Sequence, residues 1–256
     1  MKNMRNYLKA ELFRNFKRLF FWVIMICLVT CGLLGSWTLN YMNVHYDKNL
    51  TLEVLILIGI NMIPVFTYLM GLFADISIGE ELKNGTIKNI FSSGFSRGKI
   101  YICKVIEAII LVIICTIILL IVTSIGGYFV LGINTNESIR STFQECLKRG
   151  SAAVFLWSGA IALSTLFYAV LRSGTIASLA YIFALTFVGE VVSALGQYIN
   201  PIFTKMHKYL ISTQLNNIAM ADKVTNEMLI TSGAIGLIYT IVLTVIGIMI
   251  INKRDI

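Results

Sequence analysis

Apolar residues gather into six runs almost free of charge: 19–40, 54–75, 108–131, 151–171, 173–197 and 228–252. A helix rises about 1.5 Å per residue and the hydrocarbon core of a bilayer is about 30 Å thick, so roughly 20 apolar residues make one crossing. Each run therefore predicts one transmembrane helix. Together they predict an all-α membrane protein with six transmembrane helices in a single domain, residues 1–256. What is specific to the chain has to lie in the polar segments between the runs.

Residues 1–18 carry Met4, Leu8, Leu12 and Phe16 at four-residue spacing, with Phe13 and Leu19 beside them. That spacing predicts an N-terminal amphipathic helix on the inner membrane surface. Arg5 and Lys9 fall near the same face, where long basic stems can snorkel to headgroups. The plainer reading is a basic flank that only orients the first span. The segment 77–101 is richer. Asn84-Gly85 is a turn signal, Thr86 stands where it can cap a short helix over 87–93, and Ser93-Gly94 ends that helix. Ile87, Ile90 and Phe91 share one face of it, with Lys88 and Asn89 turned away, and Ser96 can cap the helix that follows. The segment 198–227 contains Met206, Tyr209, Leu210, Leu215 and Ile218, too many apolar residues for a fully solvated loop. The segment 132–150 is more polar and reads as a surface helix or loop.

Composition supports the membrane reading. Hydrophobic residues make up 57% and charged residues 13%, against roughly 25% charged in soluble domains. Two prolines and no Ser- or Gly-rich run leave no sign of a linker. The first span follows too many charges to read as a cleaved signal and is expected to be retained. The net charge of +8 does not point to nucleic acid, because its distribution follows the spans. With the N-terminus inside, fourteen of the 21 Lys and Arg fall in cytoplasmic pieces and seven outside. That is the expected bias of inner loops, with both termini cytoplasmic and anionic lipid as the partner of the charge.

No catalytic or metal-binding constellation emerges. Cys27 and Cys31 share a helical face without a companion His, Asp or Cys pair, which favours packing over metal binding. Of the five cysteines only Cys146 is expected in an outer loop. The histidines, His45 and His207, lie in outer segments, and no G-x-S-x-G occurs. Gly94-Phe-Ser-Arg-Gly98-Lys99-Ile100 has one residue too few between its glycines for a phosphate loop, and Ile100 stands where Ser or Thr would hold magnesium. The chain is expected to bind no cofactor itself. Among charges near the spans, Asp75 and Lys104, with Glu107 beside the latter, either snorkel to the interface or form an antiparallel Asp75–Lys104 pair. Two readings of Glu190 stand: a residue of a translocation path or dimer surface, or a residue at the outer boundary where the helix bends.

A glutamate just after the second span, then Gly-Thr, a short apolar helix, Ser-Arg, and a Lys entering the third span resembles the type-2 ABC transporter permeases. Here those residues are Glu81, Gly85, Thr86, Ser96, Arg97 and Lys104. The six-span layout and basic N-terminal helix are similar too. One departure is Gly94-Phe95, where such permeases often have Pro before the Ser-Arg. The resemblance implies that 87–93 is a cytoplasmic coupling helix seated on a separate ATPase, with Glu81, Gly85, Thr86, Ile87, Ile90, Phe91 and Arg97 as the coupling residues. A partnerless basic hairpin is the plainer alternative. The resemblance also implies two ATPase copies holding ATP and Mg, a second permease copy or sister permease, and short re-entrant helices over 198–227. Small members of this kind resemble bacitracin, lantibiotic and phenol-soluble modulin permeases. That implies export of hydrophobic or antimicrobial peptides across a bacterial cell membrane. The competing class is a secondary transporter or channel working without an ATPase. It would be expected to place several ionisable groups deep in the membrane, where this chain has mainly Glu190.

Overall fold

The computed structural model describes residues 4–79, 81, 96–171 and 173–253. These residues form ten α-helices: α1 (Met4–Phe16), α2 (Leu19–Tyr46), α3 (Leu52–Asn61), α4 (Ile63–Ala74), α5 (Arg97–Leu131), α6 (Asn136–Leu171), α7 (Gly174–Tyr198), α8 (Pro201–His207), α9 (Ile211–Met220) and α10 (Asn226–Lys253). A single π-helical turn, Asp75–Gly79, continues α4. No strand occurs among them. Five helices (α2, α5, α6, α7 and α10) are long and apolar enough to cross a bilayer, and a bent pair makes the sixth crossing if counted as one span.

That bent pair is the second apolar run. Leu52–Asn61 and Ile63–Gly79 meet at an angle of 61°. Pro64, in the first turn of α4, has no N–H to give and cannot continue an undisturbed ladder from α3. Hydropathy alone sees one run here, because both arms are equally apolar.

Helix α6 is the central rod. Of its apolar stretch 61% is buried inside the protein, against 17% in α2 and in α7, which lie at the periphery. Small residues bring α6 and α10 together: a Cβ on Gly236 would lie 2.3 Å from the Phe155 carbonyl oxygen, so only glycine permits that crossing. Thr67 ties the bent span to two neighbours, since Trp157 Nε1 donates to its hydroxyl at 3.2 Å and the Tyr181 hydroxyl to its carbonyl at 2.5 Å. Helices α5 and α6, with 35 and 36 residues, are each about 50 Å long and outreach the hydrocarbon core. Of the two readings of the polar segment 132–150, surface helix or loop, most of it is helical, as the first part of α6, opened by the Thr135 hydroxyl accepting from Ser138 N at 3.1 Å.

The segment after α7 doubles back into the bundle. Asn200 caps α8, accepting from Ile202 N at 2.9 Å. A Cβ on Gly196 would lie 2.8 Å from Thr204 N, so α8 runs back along α7, and one on Gly189 would lie 3.5 Å from Ser212 Oγ at the start of α9. Helix α9 then returns along α6. Ile211 sits beside Gly159, and Arg149 donates to the carbonyls of Ile218, Ala219, Ala221 and Asp222 at 3.1, 3.0, 2.8 and 3.4 Å. The buried guanidinium thereby closes the C-terminus of α9, where carbonyls lack helical partners.

Candidate functional site

At the opposite end of the bundle the protein buries charge. The spacing of α1 predicts a helix lying on the membrane surface; the residues it buries against the protein are Glu11 and Asn15, while Phe13 is 61% exposed. Leu12 and Phe16 still pack against the core. Glu11, Arg14 and Asn15 stand three and four residues apart, one face of a helix, and that face meets Lys104 and Glu107, three apart on α5.

Lys104 is fully buried and is the centre of the cluster. Its Nζ donates to Glu11 Oε2 at 2.7 Å and to Glu81 Oε1 at 2.9 Å, and lies 3.4 Å from Glu107 Oε2. Arg14 pairs with the same two outer carboxylates, Glu11 and Glu81. Asn15 Nδ2 donates to Glu107 Oε1. Ser77 lies in the π-helical turn, its hydroxyl 2.7 Å from the Lys104 carbonyl and 3.0 Å from Glu107 Oε2. Arg18 Nη1 donates to the Ile76 carbonyl at 2.8 Å, fastening the start of α2 to the same turn. Burial opposes the Arg14 charge, but Glu81 and Glu11 outweigh it and raise its pKa. Burial first, then Glu11 and Glu81, raise that of the Tyr7 phenol, whose ring stands 5.9 Å from Lys104 Nζ.

Chemically the cluster is a clamp. Three carboxylates and two cations from α1, the end of the bent span and α5 pair with one another around the fully buried Lys104, with Arg14 at the partly exposed edge. Buried charges persist only when paired and hydrogen-bonded, so moving one element displaces the rest or breaks the set. The π-helical turn gives the set its geometry by rotating Ser77 toward α5. A Cβ on Gly79 would fall 2.8 Å from the Tyr168 ring, so glycine is required there.

Of the two readings of Asp75 and Lys104, the antiparallel pair does not form. Lys104 is taken by Glu11, Glu81 and Glu107, while Asp75 faces Tyr168 and Gly79 and approaches Gly174 at the start of α7. Of the expected coupling residues, Glu81 lies in the cluster and Arg97 is the first residue of α5. Gly85, Thr86, Ile87, Ile90 and Phe91 fall outside the described residues. Ser96 precedes α5, but its side chain makes no capping bond. Glu190 is exposed on α7, far along from the cluster, between exposed Phe187 and Val191. Sequence reasoning missed Glu11, Arg14, Asn15 and Ser77. The signal for the first three was present as a polar 11-14-15 stripe in an otherwise apolar-spaced helix.

The fold and the clamp define a multi-pass helical membrane protein whose N-terminal helix is locked by charge to its second and third spans. Residues 7–193 match the family model described as ABC-2 family transporter protein. The match covers more than half of the chain, which belongs to that family: it is the membrane-spanning permease of an ABC transporter, a family that implies an ABC ATPase as partner. It runs from α1 through most of α7 and takes in every residue of the clamp. No curated protein sequence matches the chain.

Proposed function

We propose that this permease exports hydrophobic or amphipathic peptides of the antimicrobial or toxin kind. Its termini face the cytoplasm of a bacterial cell, and it is driven by two ATPase copies that hold ATP and Mg. A second copy or a sister permease completes the pathway. The observation that carries the coupling part of this reading is the position of Glu81. It stands where the chain enters the segment assigned to ATPase docking, and it is held from one side by Arg14 and from the other by Lys104. A push on that segment reaches α1 and α5 through ion pairs, without needing the side chains of the lipid-facing helices to repack. The descent of α8 along α7 and return of α9 along α6 support a re-entrant cap at the far end of the pathway. The cargo rests on resemblance to small peptide exporters.

The test is transport by the permease with its ATPase in proteoliposomes, comparing wild type with Glu81→Gln. The variant should bind the ATPase normally and lose most cargo-stimulated ATP hydrolysis, about tenfold for the loss of roughly 1.4 kcal/mol of coupling. Unchanged stimulation, or full transport by the permease alone without nucleotide, would remove this reading in favour of a secondary transporter.

A further inference from the structure

A cleft of about 290 Å³ opens between α2, the bent pair α3–α4, α5 and α6, in the half of the bundle away from the clamp. Leu28, Ile56, Phe66 and Leu119 form much of its wall, and no charged side chain lines it. The hydroxyls of Thr116 and Thr123 in that wall are committed to the Val112 and Leu119 carbonyls of their own helix, at 2.8 and 2.6 Å. Two glycines widen it: a Cβ on Gly59 or Gly150 would meet no atom within 4 Å. Ile58 and Met62, at the bend, line the cleft and remain 40% and 43% exposed, so it opens sideways at the depth of the spans.

We infer that this cleft is a binding site for one acyl chain of a bilayer phospholipid. An apolar cavity of about 150 Å³ already stays dry and takes up small hydrocarbons, and this one is larger and faces the bilayer. The wall holds water poorly because, apart from the Ser124 hydroxyl and the cysteine thiols, it offers almost nothing to receive a hydrogen bond. A peptide backbone is excluded for the same reason, since each buried N–H and C=O would lose its partner. A hydrocarbon chain has nothing to satisfy, gains burial with every methylene, and is the most concentrated solute beside the opening. The bend at Met62 holds the two arms of the span apart and keeps the space from collapsing. The inference is independent of the ATPase, and its test needs no nucleotide.

The experiment reconstitutes the full chain in nanodiscs of phosphatidylglycerol and phosphatidylethanolamine with a tracer phospholipid carrying a diazirine in one acyl chain. Adducts are mapped after illumination. Lining residues such as Ile58, Met62 and Leu119 should be labelled several-fold more than Phe183 on the exposed face of α7. In Gly59→Phe, which fills the cleft, that excess should vanish while Phe183 labelling stays the same, and Gly150→Leu should do so in part. A folded Gly59→Phe or Gly150→Leu variant with undiminished lining adducts would overturn the site, as would equal labelling of lining and α7 in the wild type. Displacement of the adducts by a hydrophobic peptide would assign the cleft to cargo and overturn it equally.

Discussion

The two ends of the bundle hold their charges in opposite ways. At the clamp, Glu11, Glu81 and Glu107 share the two cations Arg14 and Lys104 across three elements distant in sequence. At the far end, Arg149 donates to four backbone carbonyls at the close of α9, its one side-chain ion pair among the described residues being with the partly exposed Glu145 at 3.5 Å. Ion pairs between side chains can exchange partners at little geometric cost, because Arg14 and Lys104 already share two carboxylates. Carbonyls at a helix terminus cannot move apart without unwinding the helix. The first arrangement suits a junction that has to transmit movement, and the second suits a cap that has to stay still.

Several substitutions would break or sharpen this contrast. The largest effect is expected from Lys104→Met, which leaves Glu11, Glu81 and Glu107 buried without their common cation. A loss of about 3–5 kcal/mol follows from stranding buried charge, read as a collapse of the melting temperature in detergent. Adding Glu11→Gln and Glu107→Gln to Lys104→Met should recover part of it. No recovery would show that the lysine acts through packing. Arg149→Met should cost about 1.5–3 kcal/mol, the scale of hydrogen bonds to a charged group. Its signature is local, with faster hydrogen exchange over 211–222 and little change in α1. Equal protection loss at both ends would erase the distinction between clamp and cap.

Ser77→Ala removes one hydroxyl from the π-helical turn and should cost about 0.5–1.5 kcal/mol, seen as a shift in melting of a few degrees. The smallest stability effect belongs to Glu190→Gln, within about 0.5 kcal/mol because the side chain is exposed. Here the informative readout is export. Reduced export with normal assembly places Glu190 on the path or dimer surface. Unchanged export leaves it as a boundary residue.

Much of the fold was legible because a bilayer imposes a simple length rule, and α2, α5, α6, α7 and α10 fall on apolar runs. The bend at Met62 was written only in Pro64, which a run of hydropathy passes over. The polar segment 132–150 belongs to α6 because polarity does not end a helix that packing and a Thr135 cap sustain. Glu81 and Lys104 were legible as site residues through the resemblance to type-2 permeases, but their partners were not. The apolar spacing of α1 drew attention to Met4, Leu8, Leu12 and Phe16, whereas burial went to the Glu11 and Asn15 positions between them.

By itself the sequence determined that lipid scaffolds this protein and that a permease family describes it. Apolar length and local turn residues act within a few helical turns and are readable along the chain. Which charge meets which, where α8 and α9 fold back, and that a hydrocarbon-walled cleft stays open were decided only in three dimensions. Those features join residues as far apart as Glu11 and Lys104, and no local preference specifies a contact whose stability depends on excluding water from both sides at once.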